Sequence, residues 1–79
     1  MYTEQIRTVL SKHARLGVDV SSLTDDCDLY GAGLTSLTTV HLMLALEDQF
    51  NVEFPDRMLG RKVFQNIRTL SEAITELAN

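Results

Sequence analysis

Apolar residues recur at helical spacing along this chain, and no segment alternates convincingly enough between apolar and polar residues to read as a strand. Ile6, Val9 and Leu10 predict a first helix from about Thr3, a residue able to cap it, ending before Gly17, a good C-terminal residue. Val18 to Thr35 then reads as a long loop holding the turn-rich Ser21-Ser22-Leu23-Thr24-Asp25-Asp26. Structureless connections of that length are unusual in small domains and are often functional. Leu37, Val40, Met43, Leu44, Leu46 and Phe50 predict a second helix over Ser36 to Phe50. Pro55 follows Phe54, and Asp56 helps start a short third helix through Leu59, before Gly60. Thr69-Leu70-Ser71-Glu72 fits a capping box ahead of Ala73, Ile74, Leu77 and Ala78, which predicts the last helix. The expected fold is all-α, a small four-helix bundle of three main helices and one short helix, in a single domain over residues 1–79.

The second helix carries more apolar surface than one-sided packing requires. Drawn at about 100° per residue with Ser36 at zero, its apolar residues occupy an arc of roughly 220°, interrupted by Thr39 and Glu47. A helix packed on one side needs little more than about 100°. Leu42, Leu46 and Phe50 suit the core, so the surplus falls around Leu37, Val40 and Leu44, close to Ser36. An exposed apolar rim there reads as a recognition surface; the alternative is a bundle that wraps this helix on most sides.

Length and charge narrow the function. A core built from 79 residues supplies only about 3–5 kcal/mol of stability, and leaves no room for a deep active site. The single Cys27 excludes an internal disulfide, and its neighbours Asp25, Asp26 and Asp28 make a poor setting for a thiolate nucleophile. Met1-Tyr2-Thr3-Glu4-Gln5 has no basic start or apolar run, and no stretch reaches membrane-spanning length, so a cytoplasmic protein is expected. Eleven acids against seven bases give a net charge of -4, which argues against nucleic acid as a partner. Residues 36–55 hold Glu47, Asp48 and Glu53 with no base, whereas Arg57, Arg61 and Lys62 cluster just beyond. Such a bipolar surface is either simply solvated or a docking face for a protein.

Ser36 is where chemistry is expected. It follows a loop in which Gly31 and Gly33 permit backbone angles closed to other residues, and it falls in the first turn of the second helix. Free amides and the positive end of the helix dipole favour an anion there, phosphate above all. A hydrolase nucleophile is excluded by two observations. Leu34 and Thr38 replace the flanking glycines of a Gly-x-Ser-x-Gly elbow. His41 stands about 7.5 Å along the helix axis and about 140° around it, out of reach of Ser36. His13 belongs to another helix and shares no motif with it. No His/Cys spacing suggests a metal, and no Gly-rich loop with a lysine suggests a nucleotide.

Asp28-Leu29-Tyr30, Gly33-Leu34-Thr35-Ser36-Leu37, the run Val40 to Phe50 and Val52-Glu53-Phe54-Pro55-Asp56 together resemble the acyl carrier proteins. That resemblance covers nearly the whole chain. It implies three main helices and one short one, and a non-catalytic protein. It also implies a separate phosphopantetheinyl transferase that takes 4′-phosphopantetheine from coenzyme A and attaches it to Ser36, where the arm's thiol carries a thioester between enzymes. The chain departs from the family in having Thr35 where Asp is usual. Thr38, His41, Arg57 and Gly60 likewise leave its recognition face less acidic than in carriers of fatty acid synthesis.

Asp28-Leu29-Tyr30-x-Ala32-Gly33-Leu34-x-Ser36, with Leu42-Met43-Leu44 and Glu53-Phe54-Pro55-Asp56-x-Met58-Leu59-x-Arg61-Lys62-x-Phe64, is similar to the small aminoacyl carrier proteins. The implied partners are an amino acid:carrier protein ligase related to class II aminoacyl-tRNA synthetases and a downstream acceptor enzyme, with no membrane, no nucleic acid and a monomeric carrier. Leu37, Val40, His41 and Leu44 are the expected contacts, with Arg57 and Arg61 as further candidates. A carrier for specialised fatty acid, polyketide or lipid synthesis, or an unmodified helical adaptor, are the alternatives.

Overall fold

The first helix, α1, runs over Thr3–His13 in the computed structural model, which describes residues 2–14 and 16–78. It buries Ile6, Val9 and Leu10 at the three- and four-residue spacing that puts them on one face. Tyr2 rather than Thr3 holds the N-cap position, and the helix stops at Ala14, whose backbone is extended, instead of continuing toward Gly17. Gly17 has a different task. Its amide donates to the Ala32 carbonyl at 3.0 Å, where the two ends of the long loop meet.

A single turn of 3-10 helix at Val20–Ser22 lies within that loop, capped by the Asp19 carboxylate, which accepts the Ser21 amide. That bond holds the Asp19 carboxyl below the usual carboxylate range. Two arginines then tether the loop to the bundle. The Arg7 guanidinium donates to the carbonyls of Val20 and Leu23 and pairs with Asp25 at 2.6 Å. Arg68 donates its amide to the Asp25 carbonyl at 2.9 Å and pairs its side chain with Asp26 and Glu72. The loop is therefore long but held.

Helix α2 spans Ser36–Phe50 and ends at Asn51, which takes the left-handed conformation that asparagine tolerates at a helix end. Beyond Pro55 the expected short helix is a 3-10 turn over Asp56–Met58, and a four-residue helix, α3 at Arg61–Phe64, follows that periodicity was too brief to announce. Helix α4 covers Ile67–Ala78, three residues earlier than the expected capping box would start it. Asn66 is its cap: its carboxamide accepts the Thr69 amide at 2.8 Å, while its own amide donates to the Thr69 hydroxyl at 3.3 Å. Thr69 thus closes the reciprocal pair from inside the helix rather than opening it.

Leu10, Leu29, Leu42, Leu46, Phe64, Ile67, Leu70 and Ile74 form the centre of one core joining all four helices and the loop. Phe54 packs its ring against Phe64 at 5.5 Å, which fastens the segment after α2 to α3. Among the described residues there are no strands, and no helix is long and apolar enough to cross a membrane.

Candidate functional site around Ser36

The segment that delivers Ser36 is fixed at both ends by buried leucines. Leu29 is fully buried and donates its amide to the Gln65 carbonyl at 2.7 Å; Leu34, also buried, donates back to the Leu29 carbonyl at 3.0 Å. Just before Leu29, Asp28 accepts the Tyr30 amide on its side chain and the Ala32 amide on its carbonyl, so the chain turns tightly. Gly33 has φ of 120°, and a Cβ there would stand 2.9 Å from the Gly17 nitrogen, so both angle and space require glycine.

Thr35 then caps α2. Its hydroxyl accepts the Thr38 amide at 3.2 Å, and its own amide donates to the Thr38 hydroxyl at 2.8 Å. The Thr39 hydroxyl adds a bond to the Thr35 carbonyl at 2.7 Å. A helix start leaves four amides without intrahelical acceptors. Those of Thr35 and Thr38 are taken by this box, and those of Ser36 and Leu37 remain for solvent or an anion. The Ser36 side chain is exposed, takes part in none of these bonds, and has no acidic residue beside it in the first turn. In the sequence Thr35 and Thr38 stand out as missing charges; their Thr-x-x-Thr spacing is also the signal for a cap with hydroxyls at both ends.

From Ser36 an apolar rim follows the helix. Leu37 is 67% exposed, Val40 48% and Leu44 54%, while Leu42 and Leu46 are buried on the opposite side. Phe50, expected in the core, is only half-buried and meets Tyr2 edge-on at 5.2 Å. His41 is exposed and shares a groove with Lys12, His13, Leu44, Ala45 and Asp48 between α1 and α2. The two histidines are thus brought to one surface that no motif linked, although Ser36 does not line that groove.

The arginines part company. The Arg61 guanidinium lies 4.0 Å over the Tyr30 ring, beside the loop that feeds Ser36. Arg57 pairs with Glu76 of α4 at 3.6 Å and lines a hollow with other α4 residues. Cys27 is half-buried against the core, a structural position.

Ser36 thus stands exposed at a capped helix start beside exposed apolar side chains, on an open surface. Residues 4–76 match the phosphopantetheine attachment site family, and the chain belongs to it. It is a non-catalytic carrier domain, and carriers of this family hold a covalent phosphopantetheine group.

Within that family the chain is a homologue of an aminoacyl carrier protein from Agrobacterium fabrum, 42% identical over 69 residues that cover 87% of this chain and 83% of the relative. It is also 39% identical to a D-alanyl carrier protein from Streptococcus sanguinis over 62 residues, 77% of each chain. A crystal structure of an engineered Bradyrhizobium japonicum glycine:carrier protein ligase complexed with a carrier protein from Agrobacterium tumefaciens and ATP contains a chain that superposes with a TM-score of 0.93. That chain is 38% identical, and the match covers 98% of this chain and 100% of that one.

Proposed function

We propose that Ser36 is the residue that carries the 4′-phosphopantetheine group, and that the cargo is an amino acid loaded by an amino acid:carrier protein ligase. The observation that carries this reading is the exposed Ser36 hydroxyl at the first position of α2, with its own amide and that of Leu37 free to face a phosphodiester. The helix dipole adds to that preference, and the absence of a first-turn acid leaves it undiminished. When attached, the group supplies a thiol that holds an acyl cargo as a thioester. The chain itself fixes the point of attachment through the Thr35–Thr38 box and offers partner enzymes the rim of Leu37, Val40 and Leu44 with His41 beside it.

The amino acid cargo and the ligase partner are supported by the Agrobacterium relative and by the ligase-bound structural neighbour. Arg61 stands close enough to the attachment loop to contact the same partner, whereas Arg57, turned toward Glu76, is the weaker candidate. A phosphopantetheinyl transferase and a downstream acceptor enzyme complete the set, with the carrier acting as a monomer in the cytoplasm.

The test is loading. The phosphopantetheinylated protein, incubated with a glycine:carrier protein ligase, ATP and glycine, is expected to gain one glycyl residue by intact-protein mass spectrometry and to lose it on hydroxylamine treatment. Loading with malonyl or fatty acyl groups by their own enzymes, and with no amino acid, would reject the aminoacyl cargo.

A further inference from the structure

Ser36, Val40, Leu44 and Asp48 stand four residues apart and form one row along α2, and all four are exposed. The row joins the positive end of the helix dipole to the negative end, rising about 18 Å while winding about 120° around the axis. Asp48 is anomalous in this row. A carboxylate in the last turn opposes the dipole, and α2 has no basic residue there to offset it. Its neighbour Glu47 in the same turn is accounted for, because it accepts the Phe54 amide at 2.8 Å. The ion pairs among the described residues involve Arg7, Arg57 and Arg68, and Asp48 is in none of them. Lys12 and His13 of α1 and His41 of α2 line the same groove as Asp48 without closing a pair with it.

We propose that this row is an intramolecular rest for the loaded arm, in which Val40 and Leu44 carry its apolar stretch and Asp48 receives the free ammonium of an aminoacyl cargo. The inference rests on the attachment and cargo proposed above. Length and charge both support this occupant. From the Ser36 oxygen to the nitrogen of a glycyl thioester runs a chain of about 17 bonds, which at the extension of a peptide backbone reaches about 20 Å. The two charged ends fall where α2 favours them: the phosphodiester at the helix N-terminus, the ammonium at a carboxylate near the C-terminus. A neutral acyl group meets no such partner at Asp48. Because Val40 and Leu44 also belong to the docking rim, the row serves the arm while the carrier is free and a partner enzyme while it is bound.

The test separates this inference from the reading beneath it by loading without any ligase. A broad-specificity transferase attaches hydrolysis-resistant amide analogues, glycyl- or acetyl-aminopantetheine, from the corresponding coenzyme A derivatives to ¹⁵N-labelled protein. Both arms are expected to move the amide signals of Ser36 to Leu44, and only the glycyl arm those around Asp48. An exposed ion pair changes occupancy by a factor of about 1.5 to 5, so the extra shift should collapse at high salt. Asp48→Asn should remove it while leaving the acetyl spectrum unchanged. Identical spectra for the two arms, or shifts confined to the first turn of α2, would overturn the rest while leaving the attachment intact. Failure of both arms to attach would overturn the attachment and the rest together.

Discussion

Helices α2 and α4 are of similar length and both rich in apolar residues, yet they use them in opposite ways. Helix α4 turns Ile67, Leu70, Ala73 and Ile74 inward and leaves Arg68, Glu72 and Glu76 outside. Helix α2 buries only Leu42 and Leu46 completely and leaves Leu37, Val40 and Leu44 in water. The apolar residues of α4 serve the core, whereas those on the outer face of α2 are left uncovered. Burial of α4 holds together a domain with little stability to spare, whereas the outer face of α2 costs solubility and gains nothing until something covers it.

The largest way to break this comparison is Ile74→Ala in α4. The side chain is fully buried, so the change should cost about 2–5 kcal/mol, most of what a domain of this size holds. Thermal unfolding followed by circular dichroism should show the midpoint collapse, and a small shift would mean that α4 is not the structural helix. Next comes Leu37→Asp in α2. It should leave the melting curve within about 0.5 kcal/mol of the parent yet reduce ligase loading by about tenfold, the loss of one hot-spot contact. Unfolding of that variant would place Leu37 in the core and erase the contrast.

Thr35→Ala sharpens the picture at the junction of the two roles. Loss of the cap should cost about 1 kcal/mol. Thr35→Asp should restore that stability, because aspartate caps equally well and suits the dipole. If Thr35→Asp also loaded normally, the neutral character of this end of α2 would have no part in partner choice. The smallest effect belongs to Ser71→Ala. The Ser71 hydroxyl is fully buried in α4 with no hydrogen-bond partner among the described residues, so its removal should leave stability equal or raise it by up to about 1 kcal/mol. A clear loss in urea denaturation would show that the hydroxyl has a partner after all.

Much of this was legible in the chain. Helix α2 begins and ends where the apolar spacing put it, and the excess of its apolar arc correctly located the exposed rim, because a wheel counts faces and packing needs only one. The boundaries that shifted did so where a residue had two possible uses. Gly17 suits a helix end, but here two loop backbones approach too closely for a side chain at Gly33. Thr69 can open a capping box or close one, and Asn66 decides which by lying three residues before it. The His13–His41 groove, the Arg61–Tyr30 stack and the Arg7 and Arg68 tethers join residues far apart in sequence. Such contacts exist only once the helices pack, so no local pattern announces them.

Attachment at Ser36 can be read from the modified protein itself. Protein incubated with coenzyme A and a broad-specificity phosphopantetheinyl transferase is digested and mapped by tandem mass spectrometry. A gain of one phosphopantetheine is expected on the peptide holding Ser36, and none in Ser36→Ala. A chain that stays unmodified while a control carrier is converted, or a group found on any other residue, would contradict it.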